Sequence, residues 1–129
     1  MAAKKILVVE DNPQNMKVVL MTLKPHGYTL LQATDGEEAL KVAISDNPDL
    51  IIMDVQIPKL DGLEVTRKLR QMPSFNHVPV IAVTSYAMKG DEEKAREAGC
   101  DAYLTKPVNT RQLPQIVAEM LQKQGKGGA

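Results

Sequence analysis

Side chains suited to metal and phosphate chemistry stand directly after short apolar runs. Glu10 and Asp11 follow the run Lys5–Val9, and Asp54 follows Asp49–Met53. Thr84 follows Val78–Val83, and Lys106 follows Ala102–Thr105. If these runs are neighbouring strands, three carboxylates converge on one rim. Carboxylates that close repel and raise one another's pKa. A hard divalent cation held by carboxylate oxygens, a backbone carbonyl and waters resolves the conflict, and that donor set describes Mg2+ best, with Mn2+ as a second candidate. A hydroxyl and an ammonium beside such a centre form a receptacle for a tetrahedral anion. In it Asp54 would be the nucleophile, the cation would offset charge on phosphoryl oxygens, and Lys106 would bind one of them.

The elements that must position these groups are legible in the hydrophobic pattern. Five apolar runs, the four above plus Tyr28–Ala33, alternate with amphipathic stretches. Runs one, three and four are nearly continuous in Val, Ile and Leu, as expected of strands covered on both faces. Asn12 can cap a first helix with Pro13 at its first position and Met16, Val19, Leu20 and Leu23 on one face, ended by Lys24-Pro-His-Gly27. A second helix is expected from the capping box Thr34-Asp-Gly-Glu37, burying Leu40, Ala43 and Ile44. A third starts at Asp61-Gly-Leu-Glu64, and a fourth, roughly Gly90 to Ala98, is almost all charge and alanine. The fifth carries Leu113, Ile116, Val117, Met120 and Leu121, with Pro114 near its first turn. Such alternation implies right-handed βαβ units and a parallel sheet. In the flavodoxin-like order 2-1-3-4-5, strands one and three lie side by side, and ligands sit beyond their carboxyl ends.

The 129 residues suit a single domain (residues 1–129, core 4–122), with residues 124–129 read as a disordered end. Sixteen basic side chains balance sixteen acidic ones, which gives no basic surface for nucleic acid or membrane. The apolar runs are too short to span a bilayer, and one cysteine, Cys100, fits a reducing, cytoplasmic setting. Cys100 and the seven methionines read as core filler, and His26 and His77 have no partner at ligand spacing.

Glu10-Asp11-Asn12, Asp54 with Ile57-Pro58 and Asp61-Gly62, Thr84-Ser85 and Lys106-Pro107 together resemble the receiver domain of bacterial response regulators, CheY-like in fold. Within that family, the stretches Glu10–Met16 and Tyr86–Asp91 look like the single-domain DivK type and equally like receivers attached to hybrid histidine kinases. The resemblance implies phosphoryl transfer to Asp54 from a histidine kinase or histidine phosphotransfer protein. It implies Mg2+ bound by Asp11, Asp54 and the carbonyl of Gln56, with Glu10 acting through water. It further implies that Thr84 is drawn to the phosphoryl group and Tyr103 turns inward, remodelling the surface of helix four, strand five and helix five for a downstream effector protein. Gln56 and Tyr86, each two residues past a site residue, are expected to tune how long the phosphate survives. The chain is expected to be a stand-alone cytoplasmic switch, a monomer or weak phosphorylation-dependent dimer. It would catalyse only its own phosphorylation and slow dephosphorylation.

Two enzyme-like or cofactor readings compete. A haloacid-dehalogenase-like phosphohydrolase needs a second Asp two residues after its nucleophile, where this chain has Gln56. A flavin site needs a Ser/Thr/Gly-rich loop after strand one, where Glu10 and Asp11 would repel phosphate. A phosphate-independent adaptor is a third reading, opposed by the full acceptor set. Lys106-Pro107 is left open as cis or trans, since only roughly 5–6% of X–Pro bonds are cis in folded proteins.

Overall fold

The computed structural model describes residues 3–85 and 88–127. Five strands, β1 (Lys5–Val9), β2 (Thr29–Ala33), β3 (Leu50–Asp54), β4 (Val80–Thr84) and β5 (Ala102–Thr105), form one sheet in the order β2-β1-β3-β4-β5. Every neighbouring pair is parallel. Each strand leads into a helix: α1 (Pro13–Leu23), α2 (Gly36–Asp46), α3 (Gly62–Arg70), α4 (Asp91–Ala98) and α5 (Gln112–Gly127). The (βα)5 architecture and the strand order are those expected from the sequence.

The two-residue side-chain period of a strand divides the core into two layers. Leu7, Val9, Ile51, Met53, Val80 and Ala82 point to one side and pack with Ala39 and Ala43 of α2, Val65 and Leu69 of α3 and Ala95 of α4. Ile6, Val8, Leu50, Ile52, Ile81 and Val83 point to the other and pack with Met16, Val19 and Leu23 of α1 and Leu113 and Val117 of α5. With β1, β3 and β4 covered on both faces, their polar residues are confined to the ends, which is where the chemistry-bearing groups stand.

Helix starts follow local hydrogen bonding. Asn12 Oδ1 accepts from Gln14 N and Asn15 N, and Asp61 Oδ1 accepts from Glu64 N. Replacing Asp61 by Ala is expected to cost about 1 kcal/mol of stability, measurable as a shift in urea midpoint at unchanged slope. At α2 the structure corrects the expected box. Asp35, not Thr34, caps the helix by accepting from Glu38 N, and Glu38 Oε1 reaches back to Thr34 N. Ala43 is buried as expected, with Gly36 and Ala39 beside it, whereas Leu40 is half-buried and Ile44 is 54% exposed.

α4 is anchored as sparsely as its composition implies, with Ala95 and Ala98 its buried residues. Pro114 is the third residue of α5, and Asn109 Oδ1 accepts from Arg111 N and Gln112 N just ahead of it. The backbone of α5 is helical to Gly127, and the last two residues of the expected disordered end, 128 and 129, lie outside the described residues. The Lys106–Pro107 peptide is cis. Among the described residues no helix is long and apolar enough to cross a membrane.

Candidate functional site

Register sets the site. Val9 pairs with Met53 across β1 and β3, so the next residues, Glu10 and Asp54, leave the sheet side by side. Asp54 in turn pairs with Val83 of β4, and Thr84 pairs with Thr105 of β5, one residue before Lys106. Oxygens of Glu10, Asp11 and Asp54 lie within 4.8 Å of one another. Glu10 is only 4% exposed and Asp54 only 3%, whereas Asp11 is exposed. The cluster therefore has a buried floor and an open side.

Lys106 reaches into this cluster. Its Nζ lies 2.6 Å from Glu10 Oε1 and 2.9 Å from Asp54 Oδ2. The remaining oxygens are also engaged: Asn12 N donates to Glu10 Oε2 at 3.1 Å, and Gln56 N donates to Asp54 Oδ1 at 2.9 Å. Burial, reinforced by the neighbouring Asp54, pushes the Glu10 carboxyl up to about 7 against the opposing pull of Lys106. At Lys106, burial alone would favour the neutral amine, but hydrogen bonds to Glu10 and Asp54 outweigh it and hold the ammonium above its ordinary value. One ammonium thus faces three carboxylates. The surplus negative charge, the all-oxygen donor set and the open side at Asp11 fit a hard divalent cation.

The pairing of Lys106 with Glu10 was not expected from sequence, which gave Glu10 only a water-mediated role. The signal was the residue type: Glu carries one methylene more than Asp and spans from β1 to the lysine.

Thr84, 3% exposed, belongs to the neighbouring part of the rim. It lines a cavity of about 110 Å³ with Val55, Gln56, Leu63, Asp91, Lys94, Ala95 and Tyr103. Its carbonyl accepts from Lys106 N at 2.8 Å, which ties β4 to the start of the lysine loop. Tyr103 is half-buried, and among the described residues its hydroxyl is buried without a hydrogen-bond partner. Burial, then the negative charges of Asp91 and Glu92, push its pKa up. The Gln56 side chain is exposed, and Tyr86 lies outside the described residues. The structure thus joins Glu10, Asp11, Asp54 and Lys106 in one cluster and sets Thr84, Gln56 and Tyr103 around the adjoining cavity.

Comparison with known proteins agrees with this geometry. Residues 6–118 match the response regulator receiver domain family. The chain is 43% identical over 118 residues to the polar-differentiation response regulator DivK of Brucella ovis, covering 92% of this chain and 96% of that protein. Its fold is similar to a CheY-like response regulator receiver domain protein from Methanospirillum hungatei JF-1, with a TM-score of 0.91 at 29% identity over 98% of this chain and 99% of that one. It is also similar to the receiver domain of the sensor histidine kinase PA1611 from Pseudomonas aeruginosa PAO1, solved with a magnesium ion in its active-site cleft. That likeness has a TM-score of 0.86 at 37% identity over 94% of this chain and 99% of that one. Sequence, fold and the carboxylate–lysine cluster converge: the chain belongs to the response regulator receiver domain family.

Proposed function

We propose that Asp54 is the phosphoryl acceptor of a two-component switch. The observation that carries this reading is the cluster itself, with two buried carboxylates, one exposed carboxylate and a single ammonium bridging Glu10 and Asp54. Asp11, Asp54 and the Gln56 carbonyl would hold Mg2+, with Glu10 acting through water. Bound there, the cation would offset charge gathering on the phosphoryl oxygens.

A carboxylate oxygen of Asp54 attacks the phosphorus of a phosphohistidine. The O–P bond forms as the N–P bond breaks, and the electron pair returns to the imidazole nitrogen. Lys106 leaves Asp54 Oδ2, to which it is bonded before transfer, and pairs with a phosphoryl oxygen. Thr84 approaches another phosphoryl oxygen, and Tyr103 moves into the space that approach vacates. These contacts exist in only one of two packings, so phosphorylation shifts the population toward it.

The donor is a histidine kinase or histidine phosphotransfer protein, and the reader of the switched surface on α4, β5 and α5 is a downstream effector protein. The chain acts as a cytoplasmic regulator, monomeric or weakly dimeric on phosphorylation, and Mn2+ can replace Mg2+. Incubation with acetyl phosphate followed by intact-mass spectrometry tests the reading. One phosphoryl group is expected with Mg2+ and none after its removal by EDTA; uptake independent of the metal would refute it.

Gln56 and Tyr86, each two residues past a site residue in sequence, set the lifetime of the acyl phosphate. Tyr86→Ala is therefore expected to shorten the half-life of the phosphorylated protein, measured by loss of the added mass over time. An unchanged or longer half-life would remove Tyr86 from the account.

A further inference from the structure

The loop between Asp54 and α3 carries Gln56 and is closed on itself. Gly62 N donates to Val55 O at 2.9 Å, and Leu60 N donates to Pro58 O at 2.9 Å. A Cβ on Gly62 would meet Asp54 O at 2.4 Å, so the far end of the loop lies directly against the acceptor's backbone. Ile57 is buried beneath it.

From the other side the start of α2 presses on the same loop. Gly36 N, a helix-start donor with no partner inside its own helix, donates to Pro58 O at 3.1 Å. A Cβ on Gly36 would lie 2.4 Å from Leu60 O and 2.6 Å from Leu60 Cβ. The closest of these is backbone, which cannot swing aside as a long side chain can. Lys59, held at φ +72°, places its ammonium 3.6 Å from both Asp35, the cap of α2, and Glu37 in its first turn. That left-handed backbone is uncommon for a residue with a side chain and persists where neighbours enforce it. A hydrogen bond, a close backbone contact and two ion pairs therefore converge on residues 58–60.

We infer that Gly36, supported by Lys59, is a positioning residue for the acceptor loop: the start of α2 fixes where the Gln56 carbonyl sits relative to Asp54. Helix α2 contributes no ligand and no phosphate contact, yet it sets the geometry of one. This inference rests on the reading that the Gln56 carbonyl is a metal ligand.

Calorimetric titration with MgCl2 alone, on the full chain and without any phosphodonor, tests it. Gly36→Ala pushes residues 58–60 outward and is expected to weaken Mg2+ binding about tenfold, the scale of losing an outer-shell support of a metal site. Gly27→Ala is the control. Gly27 sits at φ +81° with nothing within 4 Å of an added Cβ, so the change strains the backbone far from α2's contact with the loop. It is expected to lower the melting temperature and leave Mg2+ affinity unchanged. Lys59→Gly relieves the positive φ, removes both ion pairs and is expected to weaken Mg2+ binding less than Gly36→Ala. If Gly36→Ala folds and binds Mg2+ as tightly as wild type, the inference is wrong and the metal reading stands. If Gly36→Ala does not fold, unchanged affinity in Lys59→Gly overturns it. Absence of Mg2+ binding by the wild-type chain overturns both.

Discussion

Asp54→Asn is expected to abolish phosphoryl uptake from acetyl phosphate while leaving the fold intact. The amide has the shape of the carboxylate, and its oxygen can still accept the bond from Gln56 N that Asp54 Oδ1 accepts now. What it lacks is a nucleophilic oxygen. The expected fall in rate is roughly 10⁴-fold or more, the scale on which removing a nucleophile acts. Stability should not fall with it. The substitution removes one of three clustered carboxylates, and Lys106 keeps its 2.6 Å contact with Glu10. Thermal melting should therefore give a transition at or above that of wild type, while the added phosphoryl mass disappears. An equal mass gain in the variant would move the acceptor to another residue.

The largest loss of stability is expected at Arg70, at the opposite end of the sheet. Its side chain is only 19% exposed, and its guanidinium donates to four main-chain or side-chain acceptors in two separate segments, residues 75–78 and 99–101. Nε and Nη2 both donate to Gly99 O, at 3.0 and 2.8 Å, and Nη2 also reaches Asp101 Oδ2 at 2.9 Å. Nη1 donates to Phe75 O and, at 2.7 Å, to Val78 O. Asp101 passes the connection to β4 by accepting from Val80 N at 2.8 Å. The fork of Arg matches this divergent set, and a single ammonium would not. Arg70→Ala strands three carbonyls, two of them on the buried residues Phe75 and Val78, and Lys cannot replace the planar geometry. The expected cost of Arg70→Ala is about 3–5 kcal/mol, a large share of the roughly 5–15 kcal/mol a domain has to lose. Urea denaturation measures it; a loss below about 1 kcal/mol would mean that these carbonyls find water instead.

Arg70 also marks what the sequence did not disclose. It stands in Thr66-Arg-Lys-Leu-Arg70, where two neighbouring cations look like a solvated helix face. Nothing local separates Arg70 from Arg67; only the approach of Gly99, residues away in the chain, does. Gly99 itself reads as a helix end, and the structure adds that its φ of +111° and the 2.6 Å approach of Arg70 Cγ to an added Cβ demand glycine there.

The strands and their order were legible because burial on both faces leaves continuous Val, Ile and Leu, and because polar groups can then stand only at the ends. The same reasoning placed Glu10, Asp11 and Asp54 together before any distance was known. It failed at α2, where Thr34-x-x-Glu37 and Asp35-x-x-Glu38 are overlapping boxes of similar local merit. The tie is broken by a non-local contact, since the helix must begin with Gly36 against Leu60. The place of Lys106 on the same rim was legible, but its bridge to Glu10 depends on side-chain reach across two strands that no spacing encodes.

Borohydride trapping tests the central claim most directly. Reduction of an aspartyl phosphate converts the acid side chain to the alcohol of homoserine, and peptide mass mapping then locates the converted residue. After phosphorylation with acetyl phosphate and Mg2+, homoserine is expected at position 54 and at no other acidic position. Homoserine at position 11, 5-hydroxynorvaline at position 10 (the alcohol that glutamyl phosphate would give), or absence of homoserine from a sample that has gained a phosphoryl group, would contradict the account.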